Sequence, residues 1–319
     1  MNLHLAKTAF AVLIDEISKR NNIRRDILEK DYYVTLLLNE LSKQDNQSYA
    51  YFKGGTALYK ALKSIRRFSE DIDLTVFVDN CETANQEKNR LEKAVKKFSC
   101  LKKGETIENR KGSITVEYLY ESMYALDTAD TLQRFGRVKV EATSFTVSEP
   151  TSKILIAPHL YEQATFEQKK VLTEQYAVKP FEIETISLER IFIDKIFAAE
   201  FYFSRGSFGD VAKHVYDLTV LLENEQIVDF LKDKQCVKKI VGFKRKEETK
   251  RKGGVPADMR IAEFLYFKRL DNDEEFLKAF EGMQKIYVFD EKDRLTKNKA
   301  IEALTFIQNF FNQNDLSDI

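Results

Sequence analysis

The 319-residue chain has no tryptophan, only four prolines and eleven glycines, and three cysteines. So few helix and strand breakers leave room for long regular elements, and with an ordinary apolar share they exclude a mainly disordered chain. Cys81, Cys100 and Cys236 are odd in number, widely spaced and without a CxxC pair. That argues against both a disulfide framework and a zinc module, and a reducing compartment fits best. Net charge is missing too, since Lys plus Arg and Asp plus Glu each total 51. The molecule as a whole therefore offers no field to draw in a polyanion, and any nucleic-acid site must be local. No uncharged stretch approaches the roughly 18 apolar residues of a membrane span. Met1 to Arg20 carries Lys7, Asp15, Glu16 and Lys19 among its apolar residues, which makes it a poor signal peptide. A cytoplasmic protein with no membrane partner is expected.

What is present is aromatic and periodic: 24 Phe, 14 Tyr and apolar residues at regular intervals. The length suggests two domains, or one large domain with an appended helical half. Ala9 to Ile17 and Ile27 to Leu41 repeat apolar residues every three or four positions, the spacing of amphipathic helices. Tyr49 to Lys53 reads as a short strand ending at Gly54-Gly55, with Thr56 near the N-cap of a helix from Ala57 to Ile65. Ile72 to Val78, Ser113 to Tyr120 and Val138 to Phe145 alternate as strands, and Thr83 to Phe98 reads as a surface helix. From Ser187 the period becomes helical: Leu188 to Phe203, Asp210 to Leu222, Ile261 to Lys268, Glu274 to Met283 and Asn298 to Phe311. The expected fold class is α+β. A small mixed sheet with helices occupies residues 1–184, and a mainly α-helical domain, 185–319, contributes to the active-site cleft.

The chemistry concentrates in Phe52 to Phe77, where Lys53-Gly54-Gly55-Thr56 is followed by Arg67-Phe68-Ser69-Glu70-Asp71-Ile72-Asp73-Leu74. Carboxylates at i and i+2 of a strand point to the same face, so Asp71 and Asp73 can ligate a common pair of hard cations. An Asp-x-Asp by itself is as compatible with a solvated strand edge. The glycine turn beside it favours a site, because backbone N–H groups there can approach a phosphate without a Cβ in the way.

These residues resemble the DNA polymerase β-like nucleotidyltransferases, and within them the AbiEii/AbiGii toxin group of abortive-infection and type IV toxin–antitoxin systems. Glu29-Lys30-Asp31-Tyr32-Tyr33-Val34 is similar to that group's N-terminal helix, and Lys139-Val140-Glu141, Asp194-Lys195 and Tyr216-Asp217-Leu218 to its later motifs. The resemblance implies metal ligation by Asp71, Asp73 and Glu141, with Mg²⁺ or Mn²⁺ as cofactor. It implies contacts to a nucleoside triphosphate (NTP) from Gly54, Gly55, Thr56, Ser69 and Lys195. Lys195, on an otherwise apolar stretch, needs a partner, which the resemblance makes the triphosphate. Asp217 would order the site or assist the acceptor hydroxyl. At the position where the group often carries Arg-Asp ahead of this Asp, the chain has Lys213-His214, and His214 reads as a partly exposed helix residue rather than a base. Arg66 and Arg67 read as solvated.

The implied activity is transfer of an NMP from an NTP to an acceptor hydroxyl. The resemblance further implies an RNA acceptor such as the 3′ end of tRNA, and a toxin with a cognate antitoxin. Two alternatives stay open: a non-catalytic NTP-binding or interaction protein on the same fold, and transfer to a protein or small molecule. The basic run Lys238 to Lys252 would suit a polyanion, but Glu247 and Glu248 interrupt it and no aromatic interleaves in Lys244 to Lys252, so it reads as a solvated loop.

Overall fold

A computed structural model describes residues 1–43, 49–63, 66–96, 98–124, 135–144, 149–251, 253–269 and 273–314. The expected helix end at Ile65, the strand end at Phe145 and Lys252 of the basic run lie outside the described residues. The chain divides into two compact units: residues 1–61, 70–144 and 151–185, and residues 62–69, 145–150 and 186–319.

The first unit begins with α1 (Lys7–Asn21) and α2 (Arg25–Leu41). In α1 the buried set Phe10, Leu13, Ile14 and Ile17 follows the helical repeat that its sequence announces. Helix α2 is different, because it is buried around most of its circumference and takes Glu29, Lys30 and Asp31 inside with it. Charges survive such burial only when paired or hydrogen-bonded. Glu29 accepts from Ser122 Oγ at 2.6 Å and from the Met123 amide at 2.8 Å. Asp31 accepts from Lys60 Nζ at 2.6 Å and from the His159 amide at 2.6 Å. Lys30 donates to the Arg137 carbonyl and stands 3.8 Å from Glu70. The Glu-Lys-Asp triplet thus ties α2 to five separate segments of the unit, at Lys60, Glu70, Ser122–Met123, Arg137 and His159.

The sheet has seven strands: β1 (Ala50–Lys53), β2 (Ile72–Val76), β3 (Lys102–Arg110), β4 (Ser113–Leu119), β5 (Arg137–Thr143), β6 (Thr151–Ile156) and β7 (Phe181–Ile186). Their order is β3-β4-β5-β2-β1-β7-β6. The sheet is mixed, with β2 parallel to β5 and antiparallel to β1. Phe52, Ile72, Leu74, Val138, Val140 and Ala142 alternate onto one face and are fully buried. Lys53, Asp73, Lys139 and Glu141 alternate onto the other. Helix α4 (Ala84–Lys96), after the short α3 (Gly54–Thr56), packs against β2, β4 and β5 through Leu91, Ala94 and Val95, and Tyr118 donates to the Val95 carbonyl at 2.6 Å. Two more helices, α5 (His159–Glu162) and α6 (Phe166–Tyr176), separate β6 from β7. The α+β class expected from the pattern is the one observed.

The second unit is built on α7 (Leu188–Phe203) and α8 (Phe208–Leu221), and α8 also packs against α12 (Glu274–Tyr287) and α13 (Lys297–Gln313). Between them come α9 (Glu225–Lys232), α10 (Lys234–Lys250) and α11 (Leu265–Arg269). The stretch expected as one helix from Ile261 to Lys268 is a 3₁₀ turn, Ile261–Glu263, then Phe264 outside the helical region, then α11. The larger correction is α10. Lys238 to Lys250 is helical, not a loop, because Lys244, Glu247 and Glu248 fall on one side and bury together. Lys244 Nζ lies 3.2 Å from Glu247, 2.8 Å from Glu248 and 3.6 Å from Asp194, and Arg190 pairs with Glu247 and, at 3.2 Å, with Asp194.

Candidate active site

At the end of β1 the backbone turns sharply into a helical segment. Lys53 is extended at φ −143°, and Gly54 then takes φ +78°, a left-handed value that a side chain disfavours. Residues 54–56 form one helical turn and Ala57–Ala61 continue it with π winding. Lys53, not Thr56, caps this segment, and Thr56 is buried inside its first turn. Gly54 has a second constraint. A Cβ built on it would lie 2.0 Å from Asp73 Oδ2 and 2.8 Å from Asp73 Cγ. The Asp73 carboxylate therefore rests directly on the glycine bend, in space that only a residue without a side chain leaves open.

Strand pairing sets what stands beside Asp73. Its register partner on β1 is Lys53 and on β5 is Glu141, and Glu141 in turn faces Thr115 on β4. Register partners share a face, so Lys53, Asp73, Glu141 and Thr115 form one row across four strands. Asp71, two residues earlier, lies just ahead of β2 with the parity of Asp73. Asp71 and Glu141 are exposed and Asp73 is half-buried, in contrast to Ile72 and Leu74 on the opposite face. Lys53 Nζ donates to Thr143 Oγ1 at 3.0 Å, which holds a cation at the end of the row. Behind Asp71, the buried Lys30 ammonium is drawn below the ordinary lysine range by burial, while the negative charges of Glu70 and Asp71 pull it back up. Lys53 and Lys30 stand in the motifs quoted from the sequence, which assigned neither a role. The alternation Tyr51, Lys53 across β1 was the available signal for the first.

Among the described residues, no group of three or more His, Cys, Asp or Glu side chains already converges as a metal cage. Mg²⁺ binds through one or two carboxylates, several waters and the phosphates of a substrate. The donors on offer are oxygens only, the hard set such an ion prefers. The Asp73 and Glu141 pair, with Asp71 adjacent, fits.

Two more of the expected residues, Lys195 and Asp217, belong to the second unit and meet there. Arg67 grips Asp217 with two parallel hydrogen bonds, Nε to Oδ1 and Nη2 to Oδ2, both 2.7 Å. Lys195 Nζ stands 2.5 Å from the same Oδ2. Asp217 is completely buried; burial alone would raise its pKa, but Arg67 and Lys195 overcome that and bring it down to about 2. The partner that Lys195 requires is thus supplied by Asp217. Arg67, read as solvated, is buried, and its signal was absent from the sequence because its carboxylate lies far along the chain. Arg66 does face outward and pairs with Glu223 at 2.8 Å. His214 stacks on Tyr202, and burial, reinforced by Lys195, pushes it well below the usual histidine range, so it is neutral. Ser69, half-buried, falls in the segment 62–69 of this unit, whereas Asp71 and Asp73 belong to the first.

A family model described as "Nucleotidyl transferase AbiEii toxin, Type IV TA system" matches residues 36–305, most of the chain. The chain belongs to the AbiEii nucleotidyltransferase toxin family. No curated protein matches it. Among solved structures it is similar to JHP933 from Helicobacter pylori, at 14% identity and a TM-score of 0.44, covering 91% of this chain and 94% of that one. It is also similar to MenT4, a nucleotidyltransferase toxin from Mycobacterium tuberculosis H37Rv, at 13% identity and a TM-score of 0.49, covering 92% of this chain and 98% of that one. As an AbiEii family member the protein is a nucleotidyltransferase, which decides against the non-catalytic reading. Among the described residues no helix is long and apolar enough to cross a membrane.

Proposed function

We propose that this AbiEii nucleotidyltransferase moves an NMP group from an NTP to an acceptor hydroxyl at the row of Asp73 and Glu141, with Asp71 beside it. The observation that carries the reading is the seat of the Asp73 carboxylate on the Gly54 bend with Glu141 as its strand neighbour. A carboxylate pair next to backbone N–H groups at the start of a helical turn is suited to hold a triphosphate by its metal-bound oxygens. A bound Mg²⁺ or Mn²⁺ supplies neutralisation of the phosphates and acidification of the acceptor hydroxyl. Asp71, Asp73 and Glu141 would hold it. Gly54, Gly55 and Thr56 leave room for the phosphates, and Lys53 brings a positive charge to the edge of the row. We assign Asp217 to fixing Lys195 and Arg67, since both of its oxygens are already engaged. The acceptor in this proposal is an RNA, and the setting is the toxin arm of a pair with a cognate antitoxin, as the family description implies.

Incubation with each α-labelled NTP, Mg²⁺ or Mn²⁺ and total RNA tests donor, metal and acceptor together. Label should move to RNA only with divalent metal present, and Asp71→Ala and Asp73→Ala should each abolish transfer while leaving the circular dichroism spectrum unchanged. Full activity in both variants would sink the carboxylate mechanism. Label arriving on protein or a small molecule would reject the RNA acceptor and keep the chemistry.

A further inference from the structure

The basic run that looked like a solvated loop gains a different meaning once folded. Its two interrupting acids, Glu247 and Glu248, are turned inward and neutralised by Lys244 and Arg190. What α10 leaves outside is positive. Lys239, Lys246 and Lys250 are exposed, and with Phe243 they recur at the spacing of one helical stripe. The Lys239 ammonium lies 5.8 Å from the Phe243 ring centroid, so an aromatic stands just ahead of Lys244 among these cations.

Beyond the end of the helix the pattern becomes more rigid. The guanidinium carbons of Arg205 and Arg251 lie 3.6 Å and 3.4 Å from the centroid of the Phe201 ring, too close for both to share one side of it, so they clasp its two faces. Arg205 is fixed further by donating to the Phe201 carbonyl at 2.7 Å, to Ser204 Oγ at 3.2 Å and to the Gly253 carbonyl at 2.7 Å. Arg251 stands 3.8 Å from the buried Glu248. Arginine held flat on an aromatic ring is pre-organised for oxyanions and loses little freedom on meeting them. A chain with no net charge has concentrated cations and rings in one place.

We propose that the exposed face of α10, continued by Arg205 and Arg251 on Phe201, is a docking surface for the phosphate backbone of RNA. The chemistry that matches it is a run of singly charged oxyanions spaced along a strand, with bases able to lie against Phe243 or the guanidinium planes. This rests on the RNA-acceptor reading and adds where the body of that RNA is held.

The test is the salt dependence of binding to a labelled single-stranded RNA and to bulk tRNA, measured without NTP. Removing three phosphate contacts in Lys239→Ala/Lys246→Ala/Lys250→Ala should lower the slope of log K against log salt by about 2, at roughly 0.7 per contact on a single strand. The melting temperature should hold, because the three side chains are exposed. Lys246→Glu alone should flatten the slope as well, which guards against any folding effect of the triple change. Transfer to RNA with an unchanged slope in both variants would overturn the docking surface and leave the acceptor reading standing. No RNA binding by the wild-type protein, with label going to another acceptor, would overturn both. Salt-sensitive binding through these lysines to an acidic protein and not to RNA would overturn the surface's assignment.

Discussion

Gly54→Ala is the sharpest perturbation available, because two independent penalties fall on one methyl group. The backbone at φ +78° costs an alanine about 1–2 kcal/mol. The new Cβ would also sit 2.0 Å from Asp73 Oδ2, 2.8 Å from Cγ and 2.9 Å from Cβ, where nothing can remain. Asp73 is held in a central strand between β1 and β5, so its backbone cannot retreat and its carboxylate must swing off the bend by about 1 Å or more. The combined cost is about 2–4 kcal/mol, within the range of known backbone and overpacking effects, and should lower the melting temperature by roughly 5–10 °C. A displacement of about 1 Å in a group that positions reactants costs on the order of 100-fold in rate. The assay is transfer from an α-labelled NTP in the wild-type background, alongside thermal melting in the wild-type and Asp73→Ala backgrounds. In the Asp73→Ala background Oδ2 and Cγ are gone, so the same glycine change should destabilise less. Equal destabilisation in both backgrounds, or full activity in Gly54→Ala, would refute the idea that the bend exists to seat this carboxylate.

Two further predictions concern the buried charges. Asp217 has its folded-state pKa depressed to about 2 from an ordinary value near 3.8, so it contributes stability above about pH 4 that is lost as pH falls towards 2. The loss should reach about 2 kcal/mol, and Asp217→Asn should remove that acid-side dependence while destabilising at neutral pH by about 3–5 kcal/mol, since Arg67 and Lys195 stay buried without their counter-charge. Chemical denaturation at stepped pH would read both, and an Asn variant as stable as wild type at pH 7 would contradict the pairing. Lys60→Met should likewise cost about 3–5 kcal/mol by stranding the buried Asp31, whereas Asp31→Leu/Lys60→Met should recover much of it. Additive losses in the double variant would show that the two residues do not act as a pair.

How much of the fold was legible follows from which elements are amphipathic. Leu188 to Phe203 was readable to the residue because Ser187 caps it through its side chain and its apolar period is unbroken. The strands β1, β2, β4 and β5 were visible because one of their faces is buried and the other polar. Strand β3 was not, since its sequence Lys-Lys-Gly-Glu-Thr-Ile-Glu-Asn-Arg is an exposed edge with no apolar alternation to detect. Helix α10 was missed for the opposite reason. Its interior side begins with Val237, Ile240 and Val241 but continues with Lys244, Glu247 and Glu248, so over its last turns the usual rule that charge means solvent gave the wrong side of the helix.

The candidate site divides along the same line. Asp71 and Asp73 could be paired from sequence because an i, i+2 spacing fixes a shared face without knowledge of anything else. Glu141 needs the register of β2 on β5, and Lys53 needs that of β1 on β2. Both are set by long-range pairing that no local spacing encodes. Lys195 shows how far reasoning by residue type reaches. An apolar helix demanded a partner for it, and an anionic substrate met that demand as well as any carboxylate would. The fold brings the Asp217 carboxylate to 2.5 Å, a partner that the local sequence could not name. A buried cation is evidence that an anion is near, and the identity of that anion is a tertiary fact.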